Sequence, residues 1–179
     1  MSEQPLYVND AVRALIGVES VEQFACDPVE HGSIRRMAQA IMDSDPVYSD
    51  ETVAARTRYR STVAPPLFPV HMFQRGPGDP DPLERAWQEP DYDGSKSPTA
   101  LFALPALPIP LKRLLNAGVE VEFFRYAEPG ERVSVINRYV DIFEKQGKKG
   151  PMVFAVVERR FATERREPLL IYRQTLVYS

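Results

Sequence analysis

The sequence predicts an α+β domain in which a curved antiparallel sheet wraps around one amphipathic helix. Three observations carry this expectation. The run HGSIRRMAQAIM at 31–42 spaces Ile34, Met37, Ala38 and Ile41 at i, i+3, i+4 and i+7, one apolar stripe on a helix. Beyond residue 118 come VEVEFF, GERVSVINRYVDIFEKQ, PMVFAVVERRFATE and PLLIYRQTLVYS, alternating or rich in β-branched and aromatic residues. The turn signals EPGE, QGKKGP and ERREP divide them into three or four long strands of a meander. Helix and sheet each have a single apolar face, and wrapping one around the other buries both.

In chain order, DPVE precedes the helix. Asp27 as cap, Pro28 at the first position and Glu30 closing a capping box would start it. A start nearer Glu30 is the alternative, because Gly32 weakens the first turn. Arg35, Arg36 and Gln39 take the polar side. Pro46 disfavours helical geometry at Asp45 and is expected to end the helix. DETVAARTRY reads as a second short helix capped by Asp50. The 17 prolines are about twice the ordinary share. They cluster between Pro65 and Pro110, where an apolar corner leads into a polar loop near 74–98 and an apolar return. Such a loop is either a lid or interface element or a surface insertion. Trp87, Tyr92 and ALFALPALPIPL favour a segment that packs on something. The sheet would leave an edge strand, which edge-to-edge dimerisation would cover.

Composition narrows the function. A chain of 179 residues suits a single domain, 1–179, carrying the insert. The net charge of −3, from 22 basic and 25 acidic side chains, argues against nucleic-acid binding. One cysteine, Cys26, permits no internal disulfide and fits a reducing, cytoplasmic setting. The N-terminal residues lack a signal-peptide pattern, and no apolar run reaches the ~18 residues of a membrane span. His31, His71 and Cys26 lack zinc-ligand spacing, so no metal is expected.

The stretch from Ile34 to Ala54 resembles the hydratase signature of MaoC-like, (R)-specific enoyl-CoA hydratases and dehydratases. That signature reads roughly Gly-Asp-x-Asn-Pro-aliphatic-His, with a small residue further on. Asp43 stands at its aspartate, Asp45 at its asparagine, Pro46 at its proline, Val47 at its aliphatic residue and Ala54 at its small residue. Two positions depart: Met42 replaces the glycine and Tyr48 the histidine. The later half resembles the sheet of FAS1-like, N-terminal MaoC-like dehydratase domains. It has a Pro-Gly-acid turn (Pro129, Gly130, Glu131) before one long strand and a Glu-Lys-x-Gly hairpin (Glu144 to Gly147) before another. The likeness covers about residues 12–178 apart from the insert.

The resemblance implies a hot-dog fold and an acyl-CoA or acyl-carrier-protein thioester as substrate, with no cofactor. In such enzymes an Asp–His pair after the helix acts on a water and an enoyl thioester. Here the pair is half gone. Imidazole titrates near pH 6.5, whereas a phenol, at about 10, is a poor base near neutrality. The resemblance therefore implies the half that lacks the catalytic histidine, joined to a second hot-dog subunit in a heterodimer or heterotetramer. The alternatives are a self-sufficient homodimeric hydratase or thioesterase and a non-catalytic acyl-CoA binding module.

Each candidate residue also has a plainer reading. Asp43 is a relic of the pair or a polar helix-terminal residue. Tyr48 is a substrate-facing donor or a packed aromatic filling the vacated site. Asp45 caps the turn before Pro46. His71 substitutes for the absent histidine or lies in an apolar corner, and His31 is solvated. Arg56, Arg58 and Arg60, with Lys148 and its hairpin neighbours Lys145 and Lys149, either meet coenzyme A phosphates or are solvated charges.

Overall fold

The computed structural model describes residues 7–73, 78, 87–89, 102–148 and 150–179. Most of the expected insert, Tyr92 and Lys149 lie outside the described residues, and Trp87 is exposed. Among the described residues the α-helical segments α1 (Asp10–Arg13), α2 (His31–Ala40), α3 (Glu51–Ala54) and α4 (Phe68–His71), with a 3-10 turn at Pro46–Tyr48, precede four long strands. The strands are β2 (Leu114–Phe123), β3 (Val133–Gly147), β4 (Gly150–Thr163) and β5 (Pro168–Tyr178). A two-residue strand, β1 (Gln23–Phe24), completes one antiparallel sheet of order β1-β3-β4-β5-β2.

The meander expectation holds for β3, β4 and β5. β2, however, does not lie beside β3: it crosses to pair with β5 and forms the far edge. It also begins at Leu114, because Leu114 and Leu115 pair with Tyr178 and Val177 at the end of β5.

Strand alternation puts two apolar clusters on the concave face of the sheet. Helix α2 seats Ile34 and Ala38 among Val133, Val135, Phe161 and Leu170. Full burial of a side chain such as Ile34 stabilises the fold by roughly 2–3 kcal/mol. Only part of the predicted stripe is buried, since Ile41 lies beyond the helix and is exposed. The second cluster joins Tyr139, Ile142, Val153, Ala155 and Val157 to Val8 and Val12, with Phe102 and Leu104 from the returning segment.

The helix starts at the later of the two expected sites, with Glu30 in the cap position. The Pro129–Gly130 turn holds that start. Gly130, at φ 88, supplies the left-handed residue of the turn, and Glu131 N–H donates to Glu128 O at 3.2 Å. Gly130 N–H donates to Val29 O at 2.8 Å and Val29 N–H to Glu131 O at 2.9 Å, so the turn ties the helix entry to β3.

Candidate active site

Pro46 does not end the helix; it stops earlier, at Ala40. Asp43 N–H donates to Ala38 O at 2.9 Å and Met42 N–H to Gln39 O at 3.2 Å, with Met42 left-handed at φ 57. This is a Schellman termination, whose left-handed residue is usually glycine. The glycine of the resembled signature thus has a backbone role here, and Met42 adopts the conformation despite its Cβ.

The termination delivers Asp43 into a short relay of aspartate caps. Asp43 Oδ1 accepts from Asp45 N–H at 3.1 Å. Asp45 Oδ1 accepts from Val47 N–H at 3.0 Å and caps the 3-10 turn Pro46–Tyr48, as expected of it. Asp50 caps the expected second helix, which is the short α3, by accepting from Thr52 and Val53 N–H.

These turns bring Tyr48 back onto Asp43. Its phenol donates to Asp43 Oδ2 at 3.2 Å, and its ring is buried in the α2 cluster beside Val47, Val63 and Phe68. Burial, reinforced by the Asp43 charge and the hydrogen bond to it, pushes the Tyr48 phenol well above its ordinary value. Tyr48 therefore keeps its proton through the physiological range and acts only as a donor. Each Asp43 oxygen already accepts one hydrogen bond, although the residue itself is exposed. The pair has the geometry of a cap, and its phenol does not exchange a proton near neutrality.

Other candidates lie around this loop. Arg56, Arg58 and Arg60 are exposed, as is Lys148 on the β3–β4 hairpin. Arg58 is engaged locally: Nη2 donates to Tyr59 Oη at 2.7 Å, and the guanidinium lies 4.8 Å from that ring's centroid. Tyr59 stacks on Tyr126 at 5.2 Å, and both pack against the cluster that buries Tyr48. His71 is exposed at the last position of α4 and His31 at the first of α2. Among the described residues, no group of three or more His, Cys, Asp or Glu could hold a metal ion. No helix there is long and apolar enough to cross a membrane, which says nothing of a β-barrel.

A polar row on the concave face escaped the reading of the sequence. Register aligns Asn137, Arg159, Tyr172 and Val121 across β3, β4, β5 and β2. The signal was the alternation Val157, Arg159, Phe161, which places a cation on the same face as two core residues.

A sheet curved around one helix, with the remnant of a hydratase signature in the loop after it, defines a MaoC-like domain of hot-dog fold. Residues 14–171 match the FAS1-like dehydratase domain region, and the chain belongs to that family. It is 29% identical over 152 residues to the probable enoyl-CoA hydratase alpha subunit of Thermomonospora curvata. That match covers 84% of this chain and 45% of the relative, so the chain spans about half the relative's length. Two solved structures share the fold. One is a chain of the ChsH1–ChsH2 complex of Mycobacterium tuberculosis, with TM-score 0.68 and 22% identity, covering 94% of this chain and 88% of that one. The other is a chain of the truncated HadBC (3R-hydroxyacyl-ACP dehydratase) complex of the same organism, with TM-score 0.58 and 14% identity, covering 91% and 96%.

Proposed function

We propose that the chain is the non-catalytic half of a MaoC-like enoyl-CoA hydratase or 3-hydroxyacyl-thioester dehydratase, completed by a second hot-dog subunit that supplies the Asp–His pair. The observation that carries this reading is Tyr48. It occupies the histidine position, is buried, and donates its proton to Asp43. Adding water across an enoyl thioester requires a base to take a proton from water and an acid to protonate the α-carbon. Neither Tyr48, locked neutral, nor an Asp43 that serves as its acceptor suits the first task.

The relative bears a subunit's name, and the two similar structures come from complexes; both facts support a partnered assembly. The edge strand β2 offers the surface for it. Its outer side has no strand neighbour among the described residues, and Leu115, Val119 and Phe123 are exposed along it. In this reading the chain continues the partner's sheet and walls part of the acyl pocket, while Arg56, Arg60 and Lys148 contact the phosphates of coenzyme A.

The test is to assay the chain alone, and then with the product of the neighbouring gene, on crotonyl-CoA and a bulkier enoyl-CoA. Hydration is expected only from the mixture. Rapid hydration by the chain alone would overturn the partner requirement. Release of free thiol would instead mark a thioesterase that uses the exposed Asp43.

A further inference from the structure

Arg159 is placed unlike the other arginines of the sheet. Arg138 and Arg173 both reach Glu158 at 2.7 Å, and Arg160 pairs with Glu19. Among the described residues Arg159 has no carboxylate. Its Nε donates to Asn137 Oδ1 at 3.3 Å, and Asn137 is held in turn by donating Nδ2–H to Phe102 O at 2.9 Å. Aromatic rings surround the guanidinium: the centroids of Phe161, Phe102 and Tyr172 lie 4.9, 5.6 and 6.0 Å from its central carbon. Burial pulls Arg159 below the ordinary arginine value, and only the Tyr172 phenol, with no carboxylate, acts against that shift.

This cation occupies the seam between the two concave-face clusters. Phe161 belongs to the cluster that buries Tyr48, Tyr172 packs against it, and Phe102 belongs to the other cluster. A half-buried guanidinium without a counter-ion loses hydration and gains no ion pair, a costly state unless something completes it. Among the described residues its two terminal nitrogens have no acceptor, and they form a fork matched to a carboxylate. The aromatic walls suit a methylene chain leading to that carboxylate.

The geometry points to Arg159, positioned by Asn137, as the anchor for a carboxylate at the far end of the acyl group, so that the thioester taken by this site is that of a dicarboxylic acid. This assignment rests on the acyl-thioester reading above, and it commits to the acyl end rather than the coenzyme A phosphates.

The experiment titrates the full chain, assembled with the neighbouring gene's product, calorimetrically with adipoyl-CoA, hexanoyl-CoA and free coenzyme A. Adipoyl-CoA is expected to bind at least about tenfold tighter than hexanoyl-CoA, the scale of one well-formed charged hydrogen-bond pair. In Arg159→Gln that preference disappears while hexanoyl-CoA binds as before; in Arg159→Lys part of it remains. Equal affinity of the wild type for the two thioesters overturns the assignment and leaves the thioester reading standing. So does a loss of free coenzyme A binding in Arg159→Gln, which would make the site a phosphate contact. Failure of all three ligands to bind sinks the thioester reading and this assignment together. If Arg159→Gln does not fold, the wild-type comparison and Arg159→Lys decide.

Discussion

Tyr48 donates its phenolic proton to Asp43 across five residues of chain, and that contact stands where the resembled signature would place an imidazole beside a carboxylate. A donor with a raised pKa cannot trade places with its acceptor, so the contact holds the loop rather than shuttling protons. Tyr48→Phe should therefore leave the activity of any assembled complex within about twofold, while costing about 1 kcal/mol of stability for the lost hydrogen bond. Tyr48→His should raise hydration by the isolated chain by roughly tenfold, below the roughly hundredfold lower end for general acid–base catalysis because the rest of the site is incomplete. Enoyl-CoA consumption and a urea melt measure both.

Alkali should unfold the protein through its buried phenols. Burial pushes Tyr139 up to about 12, and Tyr48 and Tyr178 are also raised, with burial the leading cause in each. Their folded values lie above the unfolded value of about 10. The unfolded chain then binds fewer protons above that pH, so stability is full below pH ~10 and falls as pH rises through the folded values. Each such tyrosine contributes a slope approaching ~1.4 kcal/mol per pH unit in that window. Urea midpoints measured from pH ~8 to ~11 should be flat and then fall, and Tyr139→Phe should make the fall shallower.

Met42 holds a left-handed backbone at φ 57 with its side chain in solvent. That conformation costs a non-glycine residue roughly 1–2 kcal/mol, against roughly 0.5–1 kcal/mol of extra chain entropy lost by glycine. Met42→Gly should leave the fold unchanged and stabilise it by up to about 1 kcal/mol. Met42→Val should destabilise it, because a β-branched side chain tolerates this region worst. Thermal melts of the two variants should move in opposite directions.

The same residue marks where the sequence was legible and where it was not. Helix α2, the caps at Asp45 and Asp50, and strands β3 to β5 follow from local patterns, since capping, turn chemistry and alternation are properties of neighbours in the chain. The helix end was misplaced because Pro46 is a loud signal, whereas a left-handed methionine carries none. The partner of β2 was equally hidden: alternation identifies a strand but not which edge it joins. In the site, Tyr48 and Asp43 could be named from spacing, but their mutual hydrogen bond depends on the tight path through Asp45 and Pro46. Arg159 became visible only once register set it among Asn137, Phe161 and Tyr172.

Glu158 is a buried carboxylate on the convex face, shared by Arg138 and Arg173 on the flanking strands. Both arginines are about a third exposed, at 37%, so water can recover them if the carboxylate is removed. Glu158→Ala should consequently cost about 1–3 kcal/mol, short of the 3–5 kcal/mol typical when a fully buried ion pair is broken. Glu158→Gln should cost less, because the amide oxygen still accepts from one arginine. Denaturant midpoints order the three proteins.

Strand β2 offers the sharpest test of assembly. Ten residues long, it ends the sheet, whereas the opposite edge, β1, has only two. An edge of that length with exposed apolar side chains invites another strand. Val119 lies mid-strand, opposite Gln174 of β5, and is 42% exposed. A lysine there meets solvent in the isolated chain, so Val119→Lys should change its stability by no more than about 0.5 kcal/mol. In an edge-to-edge pair the same lysine would be desolvated beside the joined strand, weakening association by about tenfold or more, or 1.4 kcal/mol and upward. Sedimentation equilibrium on the chain alone, and on the chain mixed with the neighbouring gene's product, measures the effect. Association of Val119→Lys as tight as that of the wild type would show that β2 is not the joining edge.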